Sequence, residues 1–216
     1  MVHRAMVVLL ASLSILWGVS TSAAAGAEQV IRAGMAFHTD SGGQCVTGFS
    51  VRHATLGDGF LAFRGCGEVG DVAYLYPSVR VGVVAAVAAS PTWLWVDLDD
   101  GWSAAGELAD GSPIEGGAEA PVGASVCRSG STSGWHCGVI QAKNVTISFP
   151  QGTINGVTRT NVCVEPGDVG AVYISATQAQ GIGIGGSGSC SSGGASYFYP
   201  LSRVLSEAPG LSLITS

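Results

Sequence analysis

The chain has 216 residues, 47% hydrophobic and only 11% charged, a balance that excludes a disordered chain and fits one or two packed domains. A formal net charge of −6, with nine basic residues scattered singly, excludes the basic stripe that nucleic acid or an anionic lipid surface requires. Thirty-three glycines, abundant Ser, Thr and Val, and no Lys- or Glu-rich run predict short strands joined by tight turns, an all-β protein.

The chain opens "MVHRAMVVLLASLSILWGVSTSAAAGAEQ", with His3 and Arg4 at a positive start, an apolar run from Ala5 to Val19, and small residues from Thr21 to Ala27. That is the layout of a secretory signal peptide over 1–27, cut after Ala25 or Ala27. The apolar run, roughly 15 residues, falls short of the ~20 that a spanning helix needs. The mature protein, 28–216, is therefore expected to be secreted and free of the membrane. It carries eight basic against fifteen acidic side chains, a net charge of −7. Only "AEQVIRAGMAFHTDSGGQ" lies between the cleavage region and Cys45.

From Gln44 onward short β-like runs follow one another: "CVTGFSVR", "GFLAFRG", "VRVGVVAAVAA", "TWLWVDL", "ASVCRSG", "HCGVIQAKNVTISF", "VTRTNVCV", "GAVYIS" and "AQGIGIGG". Turn residues such as "GDG", "DDG", "ADGSP" and "PQG" fill the gaps, the spacing of a barrel or sandwich. Polar and small residues over 97–123 interrupt the strands and mark a midpoint. In "YPLSRVLSEAPG", Leu201, Val204 and Leu205 fall at i, i+3 and i+4 before Pro209, which predicts one short C-terminal helix.

Cys45, Cys66, Cys127, Cys137, Cys163 and Cys190 make an even count in an exported chain and imply three disulfides, although spacing alone allows fifteen pairings. A zinc site would favour close pairs such as C-x-x-C, and the closest two here are ten apart, so neither metal nor cofactor is expected.

The C-terminal half carries ordered blocks: "APVGASVCRSGSTSGWHCGVIQAKNVTISF", "RTNVCVEPGDVGA", "QAQGIGIGGSGSCSSGGASYFYPLSRVL" and "GLSLIT". They resemble consecutive blocks of the bacterial chymotrypsin-like serine proteases, the streptogrisin and α-lytic protease group, and the likeness extends from about Gln44 to the end. The resemblance implies two six-stranded antiparallel β-barrels with a cleft between them, barrel one over about 28–110 and barrel two over about 111–216. It also implies the pairs Cys45–Cys66, Cys127–Cys137 and Cys163–Cys190. Active relatives carry a long pro-segment that masks activity; no such mask is expected here.

Read position by position, the resemblance assigns the general base, the His of a run similar to T-A-G-H-C-G, to Gly65 in "AFRGCG". The orienting Asp that opens a strand similar to D-x-A-W-V falls on Thr92 in "TWLWV". The nucleophile of G-D-S-G-G falls on Val169 in "GDVGA", and the Ser that supports the buried Asp falls on Ile184. No catalytic residue is therefore expected among the triad positions. The oxyanion-hole donors, the backbone N–H groups of Gly167 and Val169, do not depend on side chains and are expected to persist. Arg128 and Asp168 match a structural ion pair of the family, and Ile184, Gly185 and Gly186 match the strand that aligns a peptide by backbone pairing.

Other ionisable residues have plain readings. His53, His136 and His38, which precedes the first barrel strand, read as surface histidines, and Asp97, Asp99 and Asp100 as an acidic turn. Phe63, Arg64 and Trp93 bring bulk to where the family has small residues, either filling the vacated cleft or serving as core and rim. The expected function is that of a secreted, non-catalytic serine protease homologue that binds an extended peptide, a protease inhibitor or a host protein. The alternative is an active secreted endopeptidase of the same family using an unrecognised site, and a third reading is a drifting gene copy without a selected role.

Overall fold

A computed structural model describes residues 29–149 and 152–216; the expected signal peptide lies outside the described residues. The first half contains β1 (Gln29–Ala33), β2 (Ala36–Thr39), β3 (Cys45–Val46), β4 (Ser50–His53), β5 (Gly57–Phe63), β6 (Val72–Leu75), β7 (Val79–Val87), β8 (Trp93–Leu98) and β9 (Trp102–Leu108). The second contains β10 (Ser125–Gly130), β11 (Gly134–Phe149), β12 (Gly152–Thr160), β13 (Val172–Ser175), β14 (Gln178–Ser189) and β15 (Gly193–Pro200), then helix α1 (Leu201–Glu207) and β16 (Leu211–Leu213).

The second-half strands close into a six-stranded barrel in the order β10-β11-β12-β15-β14-β13. The first half reaches six strands by a bend. β2 pairs with β3, β4 pairs with β5, and β3 and β4 are the two ends of one segment that crosses β5 at Gly48 and Phe49. There the Gly48 N–H donates to Leu61 O at 2.6 Å and the Leu61 N–H to Phe49 O at 2.9 Å. A Cβ on Gly48 would lie 2.4 Å from Leu61 O, so only glycine permits this crossing. The ring then runs from the bent strand through β5, β8, β7, β6 and β2. The architecture is the expected pair of antiparallel barrels with one short helix.

Several features differ from the sequence reading, and β2, β6 and β15 lie outside the runs read as strands. The span 97–123 contains β9, which pairs in parallel with β1; Ser103, Ala104 and Ala105 lack the apolar alternation that marks a strand, and tertiary pairing makes one regardless. His38 does not precede the first barrel strand but lies within β2, stacked on Tyr74 with ring centroids 5.3 Å apart. The closing strand β16 returns from the second barrel to pair with β4 of the first.

One buried apolar cluster spans the junction, with Phe49, Trp93 and Trp95 of the first half packed with Ile154, Ile182 and Tyr199 of the second. Each such side chain contributes about 1.5–3 kcal/mol of burial, so the barrels are joined by core rather than by a tether. α1 buries Leu201 and Val204. Its Glu207 accepts from Trp93 Nε1 at 3.0 Å and from the Tyr199 hydroxyl, tying the helix to both halves. Disulfides link Cys45–Cys66, Cys127–Cys137 and Cys163–Cys190.

Candidate ligand-binding cleft

Gly65 lies in a short 3-10 turn, Arg64–Cys66, that follows β5. A Cβ built on it would meet Phe63 Cε1 at 2.6 Å, so the ring of Phe63 occupies the space a side chain at 65 would enter. Phe63 also reaches across the cleft: its Cβ would lie 3.6 Å from a Cβ on Gly170. Thr92, fully buried immediately before β8, spends its hydroxyl on Ser90 Oγ at 3.0 Å, and its carbonyl takes the Arg64 N–H at 3.4 Å. Positions 65 and 92 thus sit on adjoining segments, but what they present is a ring face and a satisfied hydroxyl.

Val169 stands 39% exposed at the crest of the loop between β12 and β13. Glycines at 167 and 170 with φ of 96° and 92° let the chain turn sharply on either side of it. Asp168 anchors that loop from inside. Its carboxylate accepts from Ser133 Oγ at 2.6 Å and from the N–H groups of Glu165, Ser133 and Thr132 at 2.9, 3.1 and 3.2 Å. Arg128 Nη1 lies 3.1 Å from Asp168 Oδ2, both side chains 0% exposed, without the alignment of a hydrogen bond; the guanidinium bonds instead to Cys163 O and Ser133 Oγ. Burial pushes the Asp168 carboxyl up, but the Ser133 hydroxyl, the amides of Glu165 and Ser133 and the Arg128 charge together outweigh it and hold the group below the usual carboxylate range.

The pair demands glycine opposite it. A Cβ on Gly130 would fall 2.1 Å from Arg128 Nη1 and 2.4 Å from Asp168 Oδ1. Gly130→Ala is accordingly expected to destabilise the fold by about 1–3 kcal/mol, the cost of overpacking, read from a urea denaturation midpoint; an unchanged midpoint would show that the network yields.

Two hollows open beside Val169. One, of about 570 Å³, lies between the barrels and is lined by Phe63, Gly65, Ala89, Pro91 and Ile154 among others. The second, of about 350 Å³, lies within the second barrel against Val164, Glu165, Pro166 and Gly186. Phe149, Val169 and Ile184 line both and form the ridge between them. β14 pairs with β15 from Gly181 to Ser189 and with β13 only from Gln178 to Ile182. Its other edge, from Ile184 through Gly185 and Gly186, faces the hollows without a partner strand among the described residues. Among the described residues the N–H groups of Gly167 and Val169 donate to no protein acceptor, whereas those of Asp168 and Gly170 are bonded to Glu165 O and Gly183 O.

Streptogrisin-C of Streptomyces griseus is 44% identical over 196 residues, which cover 86% of this chain and 41% of that protein. Serine protease 2 of Streptomyces fradiae is 34% identical over 180 residues, covering 76% of this chain and 99% of that protein. The crystal structure of Thermobifida fusca Protease A matches with a TM-score of 0.77 at 37% identity, over 87% of this chain and 100% of that one. The chain belongs to the bacterial chymotrypsin-like serine protease family. No protein-family model matches it. The chain spans 41% of the length of Streptogrisin-C and 26% of that of Streptogrisin-D.

Within this chymotrypsin-like frame the other ionisable candidates lie elsewhere. His53 stacks on Trp95 at 5.2 Å beside Gly210, and His136 Nε2 contacts Ser133 O at 3.0 Å. His136 and the sulfurs of Cys163 and Cys190 lie within 4.8 Å of one another, but both sulfurs are committed to their disulfide and offer no thiolate. Asp99 pairs with Arg80 at 2.6 Å on the outer face of the first barrel. Two cleft-shaping residues escaped the sequence reading. Ser133, the hinge of the Asp168 network, is one polar residue in a polar turn, and Phe149 reaches the ridge from the end of β11.

Proposed function

We propose that this protein is an exported, non-catalytic member of its family whose cleft binds extended polypeptide. Acyl transfer in this family's manner needs an attacking oxygen, an imidazole to take its proton and a carboxylate to fix the imidazole. The positions that family resemblance assigns to these groups hold the methyl groups of Val169, the bare backbone of Gly65 and the buried hydroxyl of Thr92. The observation that carries the reading is Val169: its loop is held in place by Asp168, its N–H is free, and its side chain has no atom that can attack. In enzymes of this type, loss of the nucleophile or the base alone costs on the order of 10⁶ in turnover, about as much as losing the whole triad.

Recognition does not depend on that chemistry. The unpaired β14 edge offers backbone donors and acceptors, and the two hollows offer apolar volume, the arrangement of strand-addition sites. Incubating the purified protein with a fluorophosphonate probe and with fluorogenic peptides is expected to give no covalent label and no turnover above buffer. A labelled residue of this chain would overturn the non-catalytic reading. A saturable affinity for extended peptides is expected in the same preparation by fluorescence anisotropy, and its absence would overturn the binding role.

A further inference from the structure

Alternation along β2 and β6 buries Phe37, Ala73 and Leu75 inside the first barrel and turns His38 and Tyr74 outward, with Tyr76 following Tyr74 on the same side. The outer face of an antiparallel barrel is normally polar. Here His38 and Tyr74 lie opposite each other in register and stack with their planes 19° apart, while Tyr76 leans on the His38 ring at 5.1 Å and 59°. Tyr76 is 49% exposed, and Val79, across the turn from it, 44%. Internal bonding makes no use of the buried side of the imidazole, since His38 Nδ1 has no hydrogen-bond partner. Tyr74 also stands opposite Arg80 of β7, which donates to Asp99 through two bonds at 2.6 and 3.1 Å. A row from His38 through Tyr74 and Arg80 to Asp99 thus carries rings at one end and a partly exposed ion pair at the other. None of these residues lines either hollow, and β8 runs from Thr92 at the cleft to Asp99 at this face, roughly 20 Å of strand.

Ligand classes meet this face differently. Nucleic acid is repelled by a chain of net charge −6. An organic cation seeking the rings finds Arg80 already beside Tyr74, and an apolar partner would strip water from the Arg80 and Asp99 pair, a desolvation that the pair's attraction hardly repays. A sugar suits both ends of the row. The axial C–H groups of a pyranose carry partial positive charge and pack on the negative face of an aromatic ring. Its hydroxyls can bond to the donor and acceptor positions that Arg80 and Asp99 leave open to water. Tyr74 and Tyr76 are two residues apart along one strand line, about 7 Å, so a straight chain of sugars can reach more than one ring. We propose that this outer face of the first barrel is a carbohydrate-binding site that takes a straight, equatorially linked, uncharged pyranose chain. The site is independent of the peptide-binding role, because no residue of the cleft contributes to it.

Calorimetric titration of the purified protein with cellohexaose, chitohexaose and maltohexaose tests this. Saturable binding of at least one of the two straight β-1,4-linked chains is expected, with maltohexaose, whose axial links curve it, about tenfold weaker or worse. Tyr76→Ala is expected to weaken the straight chain's binding about tenfold, and Tyr76→Phe to stay within about threefold of wild type, because the ring and not its hydroxyl makes the stack. Tyr76 is a surface residue, so an unchanged urea midpoint is expected for both variants and separates lost contact from lost fold. Val122→Ala, which trims an exposed apolar side chain of the second half, is expected to leave sugar affinity as it was. No saturable binding of either straight chain at millimolar concentration, or a Tyr76→Ala variant with wild-type affinity, overturns the assignment. Equal affinity for maltohexaose overturns the preference for a straight chain. Each of these results leaves the peptide affinity of the cleft as it stands, since that is read separately by anisotropy.

Discussion

Replacing Asp168 with Asn, or Arg128 with Met, is expected to lower the free energy of unfolding by about 3–5 kcal/mol, because each leaves a charge buried without its partner. Both side chains are fully inaccessible, so solvent screening offers no relief. The double variant Arg128→Met/Asp168→Asn is expected to lose less than the sum of the singles, since removing both charges also removes the desolvation that each imposes. Urea denaturation of the four proteins measures this as a double-mutant cycle. Additive losses would show that Arg128 and Asp168 do not act as a pair and that Ser133 and the loop amides hold each of them separately.

The same network sets a pH dependence of known sign. The Asp168 carboxyl titrates below its ordinary value in the folded protein, because the bonds from Ser133 and the loop amides, with Arg128, outweigh burial. A depressed carboxyl contributes its stabilisation in full above the unfolded pKa, about 3.9, and loses it as pH falls through the lower folded value. Wild-type stability should therefore drop below about pH 4 more steeply than that of Asp168→Asn, which has no carboxylate at 168 to protonate.

The limits of the sequence are physical and local. Most β runs of both barrels were legible because alternation and turn residues follow from pleating, and "CVTGFSVR" already contained the bent strand that closes the first barrel, whereas β2, β6 and β15 lie outside the runs that the pattern marks. β9 was hidden because "SAAG" has too little apolar contrast to signal a face, and β1 because its pairing with β9 is long-range. At the cleft, the residue types at 65, 92 and 169 are in the sequence, and so is the bulk of Phe63. The direction of that bulk is not: that Phe63 packs on the core and also covers Gly65 depends on its rotamer and on the approach of Gly170 from the second barrel. Ser133 and Phe149 acquire their positions only when the β10–β11 turn and the end of β11 are brought to the Asp168 loop and the ridge.

The placement of Phe63 determines what restoring the family's residues can achieve. Val169→Ser alone supplies an oxygen with no base, and little reactivity is expected of it. Adding Gly65→His and Thr92→Asp completes the list of groups, yet a β-carbon at 65 already falls 2.6 Å from the Phe63 ring, so the imidazole cannot take its place while that ring remains. Asp at the fully buried position 92 is then a charge without a partner, expensive to keep ionised. The triple variant is therefore expected to react with a fluorophosphonate no faster than Val169→Ser. Adding Phe63→Ala to the triple variant is expected to raise the labelling rate by about 10²–10⁴, the range that a positioned general base contributes. Ile184 is buried where the family resemblance assigns a serine that supports the Asp, and Ile184→Ser is expected to add a smaller second increment. Equal labelling of the triple variant with and without Phe63 would show that the ring swings aside at little cost, and that the loss of chemistry lies in the triad positions alone.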